Sequence, residues 1–230
     1  MSDGRSRRWD GHREARRAEF VTAAARAIEK HGPDAHLSDI AAEAGVSKPV
    51  LYRYFSDKDD LLGATAAYAA DEIVTAVVEA LRSDLDARAL VEAAVGAFLR
   101  QAELHRNLFL LAVHHHTRAV DGSVAGGKAA AATVLTRAFE GALGAAGRDT
   151  RGAAPWAHAV VGLSISGAEW WLEQQTMTRE EMTGYLSAFV WHAFDGISGG
   201  AYAGVTADIS GSLTGSPDAP APARSPRTAP

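Results

Sequence analysis

The chain is predicted to be all-α, a small three-helix head followed by a larger helical bundle. Three observations carry this. Ala and Gly are abundant among its 230 residues and runs of β-branched residues are scarce. Pro is rare before residue 216. Apolar residues recur at helical rather than alternating spacing along most of the length. A chain of this size can bury a core in one domain, or in a small domain and a larger one.

The first helix is predicted over residues 16–31. Phe20, Ala24, Ala27 and Ile28 share a face, and Gly32-Pro33 stops it. Leu37 to Ala44 forms a second short helix, Gly45-Val46 a turn, and Lys48 to Phe55 a third helix of about two turns. Ser47 stands at the N-cap of that third helix, its hydroxyl expected to accept a backbone N–H, and Pro49 lies in its first turn. Ile40, Ala41, Ala44, Val46, Leu51 and Phe55 form the expected small core. Ser38, Lys48, Val50, Tyr52, Arg53 and Tyr54 remain outside it. Two short helices across a glycine turn, the second carrying polar and aromatic groups, suit the major groove of DNA. Lys48 opposes the dipole of its own helix, and Lys58 repeats that arrangement in the next one. Each lysine alone reads equally well as a solvated surface group. Flanking one short tyrosine-rich helix, the pair reads as phosphate clamps.

Residues 18–62 resemble the DNA-binding domain of the tetracycline-repressor (TetR) family. The resemblance runs through Ala23-Ala24, Ile28, Gly32, Asp39-Ile40-Ala41, Ala44-Gly45-Val46-Ser47, Leu51-Tyr52-Arg53-Tyr54-Phe55, Lys58 and Leu61-Leu62. His36 departs from it, standing where many members place Thr near the start of the second helix. Ser38 or Asp39 can take over the capping there. With the resemblance, the expected DNA-binding set is Ser38, Ser47, Lys48, Pro49, Val50, Tyr52, Arg53, Tyr54 and Lys58, with a double-stranded operator as partner.

Charge is distributed to match. The net charge is −5 overall. Residues 1–17 hold six arginines against Asp3, Asp10 and Glu14, while the chain from residue 61 on is acidic. Residues 1–15 are expected to be a flexible basic arm that reaches the minor groove or the phosphates, or else a solvated tail. Residues 16–60 form the expected head and 61–200 the effector-binding and dimerisation domain. Residues 205–230, rich in Gly, Ala, Ser, Pro and Thr, are expected to be disordered.

Ser56-Asp57-Lys58-Asp59 resembles a capping box opening a helix that runs to about Leu81. Further helices are predicted over 86–105, 106–117 and 128–146, with Asp121-Gly122-Ser123 marking a loop or a helix start. The last pair, 153–175 and 178–198, differs from the rest. From Pro155 to Ala168 there is no formal charge and small residues dominate, so that helix must be covered on all sides. Close helix approach at small residues points to an isologous dimer core, which the family resemblance also implies. Val160, Gly167, Trp171, Tyr185 and Phe189 are its candidate contacts. An ordinary monomer core is the alternative. The resemblance also implies a helical cage around a small, largely apolar effector. Tyr68, Phe98, Phe109, His114, Trp170, Trp171 and Glu173 are the candidate lining.

Other chemistry is disfavoured. There is no cysteine. Gly122 to Lys128 has the spacing of a phosphate loop, but Ala129 replaces the hydroxyl that would hold magnesium. His114-His115-His116 cannot converge on one ion from a helix, so no metal site is expected. Neither a cofactor nor an enzyme activity is expected. No apolar run reaches about 18 residues without a charge and no signal-peptide pattern opens the chain, so a cytoplasmic protein with no membrane partner is the default. The expected function is a homodimeric, ligand-responsive repressor on a palindromic operator. The alternative is an all-helical small-molecule-binding enzyme without DNA binding.

Overall fold

The computed structural model describes residues 3–115 and 125–198, with side chains placed over 11–114 and 127–196. Helices follow one another as α1 (Asp3–His31), α2 (Leu37–Glu43), α3 (Lys48–Leu51), α4 (Lys58–Leu81) and α5 (Ala87–Leu104), then α6 (Arg106–His115), α7 (Ala125–Ala145), α8 (Ala153–Gln174) and α9 (Arg179–Ser198). The all-α expectation holds across the described residues. The predicted loop at Asp121–Ser123, His116 and the predicted tail over 205–230 lie outside them.

Helix starts are set by carboxylates. Asp39 accepts the His36 backbone N–H at 2.9 Å, so α2 is capped through its third residue despite the histidine at its N-cap. Asp57, rather than Ser56, caps α4 by accepting the Asp60 N–H at 2.7 Å, and Asp60 in turn accepts the Ser56 N–H at 2.9 Å. The box is therefore shifted by one residue from the expected register. Ser47 is the N-cap of α3 by backbone geometry, but its hydroxyl makes no capping bond, contrary to expectation. Helix α1 ends at Gly32, whose φ of 92° closes the last turn with an N–H bond to the Ile28 carbonyl.

Two boundaries differ from the sequence reading. Residues 3–15, expected as a flexible arm, continue α1 upstream, since nothing between Arg5 and Phe20 breaks a helix other than Gly11. The head does not close at residue 60 either. Its core of Phe20, Ile28, Ile40, Leu51 and Phe55 is completed by Leu61, Leu62, Ala66 and Ala69 of α4 and by Leu108 and Leu111 of α6. Helix α4 alone is long and apolar enough, among the described residues, to meet a length-and-composition test for a membrane span. It owes that character to the four helices it packs against, α1, α5, α6 and α7.

A second core joins α5, α6, α8 and α9 through Val95, Leu99, Phe109, Trp171, Met182 and Leu186. Helix α8 packs chiefly on α7, and α9 chiefly on α5.

Candidate DNA-reading head and ligand cavity

One arginine, Arg17, ties the end of the reading segment to its neighbours. Arg17 donates one guanidinium N–H to the Tyr54 carbonyl at 2.6 Å and another to Asp60 Oδ1 at 2.6 Å. Its guanidinium carbon lies 4.2 Å from the centre of the Phe55 ring. The end of the reading segment is thereby fastened to both α1 and α4. The hydrogen bond from Arg17 holds the Asp60 carboxyl below its ordinary range, more than burial raises it. Arg17 escaped the sequence reading because it was weighed only as part of the basic charge of residues 1–17. The signal was present in its place one turn before Phe20, on the inner face of α1.

Helix α3 is a single turn, and residues 52–54 continue it as turns, shorter than the expected two-turn helix. Ser38, Ser47, Lys48, Pro49, Tyr52 and Arg53 are exposed on this side of the head, and Lys58 is half-buried. Two expected DNA contacts are turned elsewhere. The Tyr54 ring meets Phe20 edge-on, with centroids 5.1 Å apart, and Val50 packs against the head core. Tyr54, beyond the end of the one-turn α3, is thereby turned toward α1.

Behind the head lies a cavity of about 200 Å³ lined by residues of α4 to α9. Its wall includes Ile73, Val77, Val91, Val95, Phe98, Phe109, Val134 and Phe139. Lys128 and Ser164 are the two polar residues in its lining among the described residues. Of the predicted pocket residues, Phe98 and Phe109 line it and meet edge-on at 6.0 Å. The other five do not. Tyr68 borders a second cleft of about 530 Å³ among α1, α4, α5 and α6, which shares Ile73 and Phe109 with the cavity. His114 is exposed and lies 2.9 Å from Glu169. Trp170 and Glu173 are exposed, and Trp171 is buried with its indole N–H given to the Met177 carbonyl at 2.9 Å. Large aromatic residues marked the pocket poorly because its wall is mostly Val, Ala, Ile and Leu, which look like ordinary core in a sequence.

Helix α6 serves both regions. Leu108 and Leu111 enter the head core, while Phe109, Ala112 and Val113 wall the cavity. Its N-terminal end is tied to α1, with Asn107 donating to the Glu29 carbonyl at 3.1 Å and His105 Nδ1 lying 3.6 Å from the Glu29 carboxylate. Burial pushes the Glu29 carboxyl up, with the nearby His105 opposing it.

Three expected dimer contacts face inward. Val160 lines the cavity, Trp171 belongs to the second core, and a Cβ at Gly167 would stand 3.3 Å from Met182 of the same chain. Gly167 therefore stands at a close approach of α9. Tyr185 and Phe189 are 70% and 63% exposed.

A helix-turn-helix head coupled through shared helices to a cavity-bearing bundle defines a class, the ligand-binding transcriptional regulators. Residues 20–65 match the family described as bacterial regulatory proteins, tetR family, and residues 76–199 match the tetracyclin repressor-like C-terminal domain. The chain is 31% identical over 197 residues to an HTH-type transcriptional regulator of Mycobacterium tuberculosis, covering 85% of this chain and 84% of the relative. It belongs to the TetR family and is a DNA-binding transcriptional regulator. A tetR-family regulator of Streptomyces coelicolor shares the fold at a TM-score of 0.63 and 19% identity, over 89% of this chain and 91% of that one. FadR of Bacillus subtilis, solved in complex with stearoyl-CoA, does so at 0.59 and 15% identity, over 75% and 96%.

Proposed function

We propose that the protein is a homodimeric cytoplasmic repressor that binds a palindromic operator and leaves it when a small, largely apolar effector fills the cavity. The observation that carries this reading is the double duty of α6. A molecule entering the cavity presses on Phe109, Ala112 and Val113, and the same helix holds Leu108 and Leu111 inside the head. Ligand and DNA are coupled if the effector binds the released arrangement of α6 and α4 more tightly than the DNA-bound one.

Lys48 and Lys58 clamp phosphates, Arg53 and Tyr52 reach base edges, and Ser38, Ser47 and Pro49 border the backbone. Two heads of a dimer read half-sites about 34–36 Å apart. Exposed Trp170 on α8, which helical spacing places on one face with the small residues Ala159, Gly162 and Ser166, and exposed Tyr185 and Phe189 on one face of α9 support the dimer. Among the described residues the cavity lining, with one lysine and one serine, holds no acid–base pair, which favours a binding protein over an enzyme.

The test is selection of bound duplexes from random DNA, followed by a screen of small molecules for release. The expected result is an inverted-repeat consensus and release by apolar compounds. A consensus without symmetry removes the dimeric reading. Binding that no cavity-filling compound alters, and that a cavity-blocking substitution such as Val134→Trp also leaves unchanged, removes the coupling.

A further inference from the structure

We infer that the cavity takes a single aliphatic chain ending in an anionic group, with Lys128 as the headgroup anchor. This rests on the reading of the cavity as an effector site and narrows it to a ligand class.

The shape comes first. The α4 face of the cavity runs from Ala70 to Leu81, about 16 Å along the helix axis at 1.5 Å per residue. The α7 face runs from Lys128 to Ala142, about 21 Å by the same measure. The apolar lining therefore continues along several turns of both helices, which suits an extended hydrocarbon chain.

The chemistry comes second. Lys128 stands at one end of this passage. The end is defined by Gly127, where an added Cβ would lie 2.5 Å from Ala70 Cβ, so α7 and α4 touch there. Lys128 is half-buried, and no hydrogen bond or ion pair joins it to another described residue. Beyond it the lining is hydrocarbon apart from Ser164. A cation without a partner at the end of an apolar passage favours an anion there, and the long apolar remainder disfavours any second charge.

The test is calorimetric titration of the purified full chain, below micellar concentrations, with dodecanoate, 1-dodecanol, dodecyltrimethylammonium and the planar cation proflavine. Affinity across octanoate, decanoate and dodecanoate is expected to rise by roughly fourfold per methylene. Dodecanoate is expected to bind about fivefold to tenfold tighter than dodecanol, with the trimethylammonium weakest. Lys128→Met should erase the preference for the carboxylate and leave dodecanol within twofold. Val134→Trp should weaken all chains together, which places them in the passage.

Equal binding of dodecanoate and dodecanol by the wild type, or an indifferent Lys128→Met, overturns the headgroup assignment. Binding of proflavine but no aliphatic chain overturns the ligand class and leaves the effector-site reading standing. Binding of none of the four overturns both.

Discussion

Arg17→Ala separates a residue that builds the DNA-reading surface from one that touches DNA. The substitution removes the bonds to the Tyr54 carbonyl and Asp60 and the contact over Phe55. A hydrogen bond to a charged group is worth about 1.5–3 kcal/mol when well shielded. Here both side chains are about one-third exposed, 36% and 32%, so about 1 kcal/mol for each bond is the better figure. The cation over the ring adds about 0.5–1 kcal/mol. The total is about 2–3 kcal/mol, which for a chain of this size lowers Tm by about 5–10 °C. Thermal unfolding by circular dichroism measures the loss, and a duplex titration at low temperature measures DNA binding separately. Arg17→Lys should recover less than half, because an ammonium cannot reproduce the fork. Acid supplies a second check. Asp60 is held below its ordinary pKa of 3.8, so its contribution is present above that value and disappears as pH falls through the folded pKa. The stability gap between wild type and Asp60→Asn should therefore close below about pH 4. An Arg17→Ala protein that melts like the wild type yet loses DNA would refute this reasoning and make Arg17 a phosphate contact.

Three further outcomes are expected. Lys48→Ala and Lys58→Ala should each lower the salt dependence of DNA binding by about one unit, measured as log affinity against log salt; an unchanged slope makes them surface groups. Phe189→Asp should yield monomers in sedimentation without lowering monomer helicity, whereas Gly167→Leu should destabilise each protomer through Met182 and Leu186. Gly127→Ala gains about 1 kcal/mol of helix propensity but forces a Cβ against Ala70, a cost of about 1–3 kcal/mol, so net destabilisation is expected, with rescue by Ala70→Gly in a chemical-denaturation series.

The helical architecture was legible in the sequence because caps and stops are local chemistry. Gly32-Pro33, the carboxylates at Asp39 and Asp57, and the periodic apolar faces each act within one or two turns. The reading head was legible for the same reason, with its core at Ile40, Leu51 and Phe55 where spacing places it. What escaped was tertiary. Val50 and Tyr54 look exposed on a two-turn helix and are packed on a one-turn one. Gly167 is a small residue at a close approach, but sequence cannot tell a helix of the same chain from one of a partner. The cavity wall of Val and Ala carries no pattern that separates a lined hollow from a filled core.

The sharing of α6 bears on how far this molecule can be taken apart. The head looks like a detachable unit because its three helices are contiguous, yet two of its buried leucines, Leu108 and Leu111, arrive from more than forty positions downstream of its last contiguous helix. A fragment ending within α4 lacks both and leaves part of the head core uncovered. Grafting this head onto a foreign regulatory bundle therefore requires the recipient to present two leucine-sized side chains at the same height. Conversely, a bundle stripped of its head leaves one face of α6 bare, a surface that invites aggregation.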